Sequence, residues 1–248
     1  MQTVRAMDGD SMIKLDLPDE QSEVMPGVNW GRFDEIGTPA FWAAIAWVSP
    51  DALHGFVRST ETLAEEIGFC LLGGYGVTAE LATAAFECLQ DNGVFNAGDY
   101  HTAEQIEHIL RQPLEVRGRR VHYRFPRQRA QRIAHAMLEL AERPLPEDDH
   151  IEFRRRLMDI PGIGPKTASW ITRNWLDSDK VAILDIHVIR ACLAMGIFND
   201  PVKLPKAYDY LEQTFIEFSH RLGVRTAVLD AVIWTEMRNL PLAYARPH

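Results

Sequence analysis

Two neighbouring stretches, Leu157-Met-Asp-Ile-Pro-Gly-Ile-Gly-Pro-Lys-Thr-Ala-Ser169 and Val181-Ala-Ile-Leu-Asp-Ile-His-Val188, decide the fold. Phe153, Leu157 and Ile160 recur at helical spacing and predict a helix with one buried face. Pro161-Gly-Ile-Gly164 then breaks it, and Pro165 sits where proline is tolerated best, at the first position of a following helix. Helix, four-residue hairpin and helix together span about 150–176. Gly162 and Gly164 allow a tight turn and a close backbone approach to a ligand. The amides opening the second helix lack intrahelical acceptors and, with the helix dipole, favour an anion. A hairpin of this kind positions a phosphate without reading sequence.

Lys166 opens the second helix, and Asp185 follows it by 19 residues at the end of the apolar run Val181–Leu184. A lysine must lose its proton to act as a nucleophile, so its pKa has to fall from about 10.4 towards roughly 7–8. The helix dipole contributes only about 0.3–1 kcal/mol to that, so burial is expected to supply the rest. Trp170, one turn along, is the expected apolar wall. The simpler role for Lys166 is phosphate binding. Asp185 is placed to cap the next helix, a role that holds a carboxylate ionised.

Outward from the hairpin, the chain reads as mostly α. Thr38-Pro39 predicts a helix that stops before Pro50, another runs from Thr60 to about Leu72, and Thr78 starts a third ending at Asn92-Gly93. Thr102-Ala-Glu-Gln105 is a capping box. A turn or ribbon around Gly118 precedes a helix from about Arg127 to Glu142. Tyr208, Leu211, Phe215, Phe218 and Leu222 mark one apolar face of a late helix. Residues 1–36 are acidic and punctuated by Pro18, Pro26, Gly27 and Gly31, which predicts loops or a short hairpin ahead of a domain covering 37–248.

Composition bounds the function classes. With 46% hydrophobic and 25% charged residues the chain is ordinary for a globular protein. No apolar run reaches the roughly 20 residues of a membrane span. The three cysteines, Cys70, Cys88 and Cys192, fit neither a disulfide framework nor a metal spacing, and predict an intracellular protein with reduced thiols. Net charge is −9, yet residues 111–132 carry eight arginines against the single acid Glu115. A basic stripe on an acidic body steers a polyanion to one face, although arginine-rich helix faces also occur simply as solvated surface.

The composite of apolar helix, Pro-Gly-Ile-Gly hairpin, Pro-Lys opening and downstream aspartate resembles the helix-hairpin-helix (HhH-GPD) DNA glycosylase superfamily over roughly residues 38–240. The resemblance implies two intimate helical subdomains with an active-site cleft between them. It implies that Lys166 attacks C1′ of a damaged nucleotide, that Asp185 assists departure of the base, and that a Schiff base and strand cleavage follow. A phosphate would meet the amides of Gly162, Gly164, Lys166 and Thr167, with His187 contacting another. Main-chain carbonyls of Met158, Ile160 and Ile163 would hold Na+ or K+. The four-cysteine iron–sulfur site of some relatives is missing, and no cofactor is required.

The 8-oxoguanine branch is the nearest in pattern. Tyr123-Arg-Phe-Pro-Arg-Gln-Arg-Ala130 is similar to its wedge segment, which makes Tyr123, Arg124 and Arg127, with Tyr75 of Gly73-Gly-Tyr-Gly76, candidates for contact with the orphaned base. Leu229-Asp-Ala-Val-Ile-Trp234 is similar to the helix lining its base pocket, so Trp170, Asp230 and Trp234 are the expected pocket. The expected partner is double-stranded DNA with a damaged base, bound by a cytoplasmic, nucleoid-associated monomer. The chain ends Arg246-Pro-His248, not in the lysine that one compact 8-oxoguanine subgroup uses, so another modified base stays open. So does a non-catalytic hairpin DNA-binding protein.

Overall fold

The structure, a computed structural model, describes residues 1–49, 51–57, 60–74, 76–199 and 202–239. Helices dominate it, and they fall into two units. One combines residues 1–57 with those from 177 onward, and the other is residues 58–176. No helix among the described residues is long and apolar enough to cross a membrane.

In the first unit β1 (Gln2–Asp8) and β2 (Ser11–Leu17) form an antiparallel hairpin around Gly9-Asp10, and β3 (Glu23–Met25) pairs with β4 (Val28–Asn29). Residues 1–36 are therefore two small hairpins, not an irregular segment. They also contribute Val4, Leu17, Val24, Val28 and Trp30 to the unit's core, so no domain boundary falls at 36. α1 (Pro39–Val48) is capped by Thr38, whose hydroxyl accepts from the Phe41 amide at 3.1 Å. α8 (Ile186–Ala194), α9 (Tyr208–Leu222) and α10 (Thr226–Asn239) complete the unit. The predicted apolar face of α9 is buried in this core with Trp42 and Ile233.

The second unit begins with α2 (Leu63–Leu72), whose Thr62 and Glu65 form a capping box, and α3 (Ala79–Asp91), capped by Thr78. α4 (Ala103–Leu110) carries the expected Thr102–Gln105 box. The ribbon around Gly118 is β5 (Leu114–Val116) with β6 (Arg119–Val121), and α5 (Pro126–Glu142) follows. α6 (His150–Leu157) and α7 (Pro165–Leu176) flank the hairpin. Phe153, Leu157, Ile160 and Ile163 are buried with Ile67, Ile106 and Ile133, which fixes the hairpin to the core from beneath. The Arg154 side chain, also buried, donates from Nε to Ser169 Oγ at 2.9 Å and ties α6 to α7.

Candidate active site

The hairpin turns through Gly162 at φ +97°, a left-handed conformation that disfavours any side chain. Its Ile163 amide donates to the Ile160 carbonyl at 3.1 Å, and Ala168 donates to Gly164 at 2.9 Å to start α7. The amides of Gly162, Gly164, Lys166 and Thr167 reach no acceptor among the described residues. Four donors without acceptors make the hairpin the candidate anion seat. A Cβ on Gly162 would lie 2.5 Å from Cδ of Arg132, so the α5 arginine lies directly against the seat. Sequence reasoning counted Arg132 in the basic stripe without giving it this place.

Lys166 lines a cavity of about 380 Å³ that lies within the second unit. Phe69, Cys70 and Trp170 form its apolar part, and Gly73, Gly74 and Thr78 bring backbone and hydroxyl groups. That volume suits a nucleobase-sized ligand. Lys166 itself is exposed, which corrects the expectation that burial supplies its activation. Burial pushes the neighbouring Cys70 thiol well up, reinforced by the Glu66 carboxylate and opposed by Lys166 and Arg173. Cys70 is therefore a neutral wall of this cavity rather than a second nucleophile.

Behind Cys70, Glu66 is buried. Its carboxylate accepts from Asn174 Nδ2 and from Thr60 Oγ1, each at 3.2 Å. Burial raises its pKa, opposed by those two hydrogen bonds and by Arg173. The network locks α2 to α7, the helices that carry Cys70 and Lys166.

Asp185 is the N-cap of α8. Its Oδ1 accepts from the amides of His187 at 2.8 Å and Val188 at 3.0 Å, while Oδ2 has no partner among the described residues. One oxygen anchors the carboxylate and the other is left unpartnered among the described residues. The His187 side chain beside it is half-buried.

Two expectations for the base-contacting groups change, those for Asp230 and Tyr123. Asp230 is only 2% exposed, and its Oδ2 accepts from the Ile183 amide at 2.9 Å. It therefore braces the strand-like run leading to Asp185 instead of presenting an edge to a base. Trp234 is half-buried, edge-on to Phe56, with the Arg238 guanidinium 4.3 Å from its ring centre. Trp170 lines the Lys166 cavity. Tyr123 is 4% exposed and its hydroxyl donates to the Leu72 carbonyl, so it holds the protein together and does not wedge into DNA. Arg124 and Arg127 are exposed, and Tyr75 lies outside the described residues.

Burial pushes the Tyr123 phenol up from 10.0 to about 12, against the lowering influence of Arg129. An acid with a raised folded pKa binds more protons folded than unfolded between those two values. Stability is thus expected to fall as pH rises from about 10 to about 12, by on the order of 2–3 kcal/mol. Denaturant titrations at pH 9 and 11.5 check this. Tyr123→Phe removes most of the slope if the assignment holds.

Comparison with known proteins fits this geometry. Residues 54–224 match the model of the family Ogg-HhH, described as 8-oxoguanine DNA glycosylase. Over 149 residues the chain is 30% identical to the 8-oxoguanine DNA glycosylase/AP lyase of Saccharolobus solfataricus, a match covering 56% of this chain and 68% of that one. The 8-oxoguanine DNA glycosylase of Methanocaldococcus jannaschii superposes with a TM-score of 0.61 at 22% identity, covering 81% of this chain and 94% of that one. The Thermotoga maritima 8-oxoguanine DNA glycosylase gives a TM-score of 0.57 at 24% identity, covering 80% and 96%. Those two likenesses carry the helix-hairpin-helix fold. The family match, spanning the hairpin, Lys166 and Asp185, carries the rest: the chain belongs to the 8-oxoguanine DNA glycosylase family.

Proposed function

We propose that Lys166 and Asp185 carry out the base excision and strand cleavage of a bifunctional 8-oxoguanine DNA glycosylase and AP lyase. The observation that carries this reading is Lys166 lining a nucleobase-sized cavity while its own amide is one of four unpartnered donors at the hairpin. The neutral Nζ forms a bond to C1′ of the flipped nucleotide, and the N-glycosidic bond breaks with its electron pair leaving on the base. The carboxylate of Asp185 stabilises the oxocarbenium-like transition state. Sugar-ring opening then gives an imine between Lys166 and C1′, and loss of a C2′ proton expels the 3′ phosphate by β-elimination.

No cofactor enters this scheme. The chain has three cysteines, one too few for a four-cysteine cluster. A monovalent cation at the carbonyls of Met158, Ile160 and Ile163 would only stiffen the hairpin. The Ile160 carbonyl already accepts the Ile163 amide, which leaves it one further lone pair for such an ion. The enzyme acts as a single copy on duplex DNA at the nucleoid.

Release of free base from duplexes carrying 8-oxoguanine, an oxidised pyrimidine or an alkylated purine tests the substrate. Preferential release of 8-oxoguanine supports the proposal, and release of another base alone moves the specificity elsewhere on the same fold. Arg132 against Gly162 makes a separate prediction. Arg132→Ala is expected to weaken binding to damaged and undamaged duplex alike, and to lower the slope of log K against log salt by about 1. Equilibrium titrations at four salt concentrations read this directly, and an unchanged slope would remove Arg132 from the phosphate contact.

A further inference from the structure

Val181–Leu184, the run that delivers Asp185, is buried, lies in no helix and pairs with no strand among the described residues. Buried amides need acceptors, and here the side chains of two helices supply them. The Ala182 amide donates to Glu212 Oε1 and the Ile183 amide to Asp230 Oδ2, each at 2.9 Å. The Leu184 amide donates to the Tyr208 hydroxyl at 3.2 Å, and that hydroxyl donates to the Ala182 carbonyl at 2.8 Å. The Asp185 amide then closes onto the Ile183 carbonyl at 3.0 Å. Four consecutive amides are thus engaged before the Asp185 side chain caps α8.

Tyr208 and Glu212 stand one turn apart at the start of α9, and Asp230 lies in the second turn of α10, all in the same unit as Asp185. Both carboxylates are only 2% exposed. A carboxylate is a costly group to bury, whereas a neighbouring strand would satisfy the same amides without one. What the side chains add is fixity. Three anchors from two helices hold the run in one place, with no sheet register along which it could slip.

Resting on the glycosylase reading above, we propose that Tyr208, Glu212 and Asp230 are positioning residues for base excision, holding the backbone ahead of Asp185 so that its carboxylate is set before the nucleotide arrives. Misplacing a reacting group by about 1 Å can cost on the order of 100-fold in rate. The three act through the amides of Ala182, Ile183 and Leu184, not on the substrate.

Single-turnover release of 8-oxoguanine tests this beside trapping on a pre-formed abasic duplex, where no base has to depart. Tyr208→Phe removes the hydroxyl with little change of volume and is expected to slow release about tenfold, and Glu212→Met about 100-fold. Glu212→Gln keeps an oxygen for the Ala182 amide and is expected to stay within about threefold of wild type. Asp230→Leu and Asp230→Asn are expected to follow the same pattern. Borohydride trapping on the abasic duplex rests on Lys166 and is expected within about twofold of wild type throughout. In an Asp185→Asn background, where the carboxylate is already gone, Tyr208→Phe is expected to change release by no more than about twofold. Thermal unfolding of each variant corrects for any unfolded fraction. A loss of equal size in both backgrounds, a matching loss on abasic duplex, or no loss at all overturns the proposal. A wild-type protein that traps abasic DNA yet releases no 8-oxoguanine would instead overturn the substrate reading.

Discussion

Lys166→Gln is expected to lose covalent trapping on both lesion and abasic duplexes, with base release falling on the order of 10⁴-fold or more. The side chain is exposed in the first turn of α7, so its removal leaves no cavity. Glutamine is a good helix former, and taking a cation from the positive end of the dipole costs the fold nothing. The four hairpin amides are untouched, so duplex affinity is expected to stay within a few-fold of wild type. Gel-based trapping, base release and a binding isotherm on one preparation separate chemistry from binding. Undiminished trapping in the variant would show that another amine forms the imine.

The second large effect is expected at Asp185, where capping uses one oxygen and leaves the other without a partner among the described residues. Asn and Asp are equally good N-caps, so Asp185→Asn keeps an oxygen for the His187 and Val188 amides. Thermal stability is expected to be unchanged, while excision falls by about 10²–10⁴-fold through loss of the carboxylate charge. Asp185→Ala adds a capping cost of about 1 kcal/mol. A pure cap predicts the opposite pattern, with Asp185→Asn as active as wild type and only the alanine variant impaired. Single-turnover rates and melting curves of the two variants decide between them.

The parts of this enzyme legible in its sequence are those whose physics is local. Caps at Thr38, Thr78, Thr102 and Asp185 announce their helices within four residues, and the hairpin is written in Pro161–Lys166. The N-terminal ribbon was legible too: Gly9-Asp10 is a two-residue hairpin signal, and Ile13-Lys-Leu-Asp-Leu17 alternates apolar with polar residues, although both strands are mostly solvated. Side-chain roles set by tertiary packing were not legible. Asp230 lies four residues from Trp234 in either reading, and only the fold shows its carboxylate spent on the Ile183 amide. Tyr123 and Arg129 looked like part of a basic DNA-facing segment, and their burial follows from where the end of α2 passes α5. Lys166 shows the reverse error, expected to be buried and found exposed.

The most direct measurement is borohydride trapping of the wild-type protein on a duplex with 8-oxoguanine opposite cytosine, followed by peptide mapping of the adduct. The account predicts one covalent adduct, formed on the lesion duplex and not on undamaged DNA, with the sugar remnant on Lys166. An adduct mapped to any other residue, or no adduct on either lesion or abasic duplex, would contradict it.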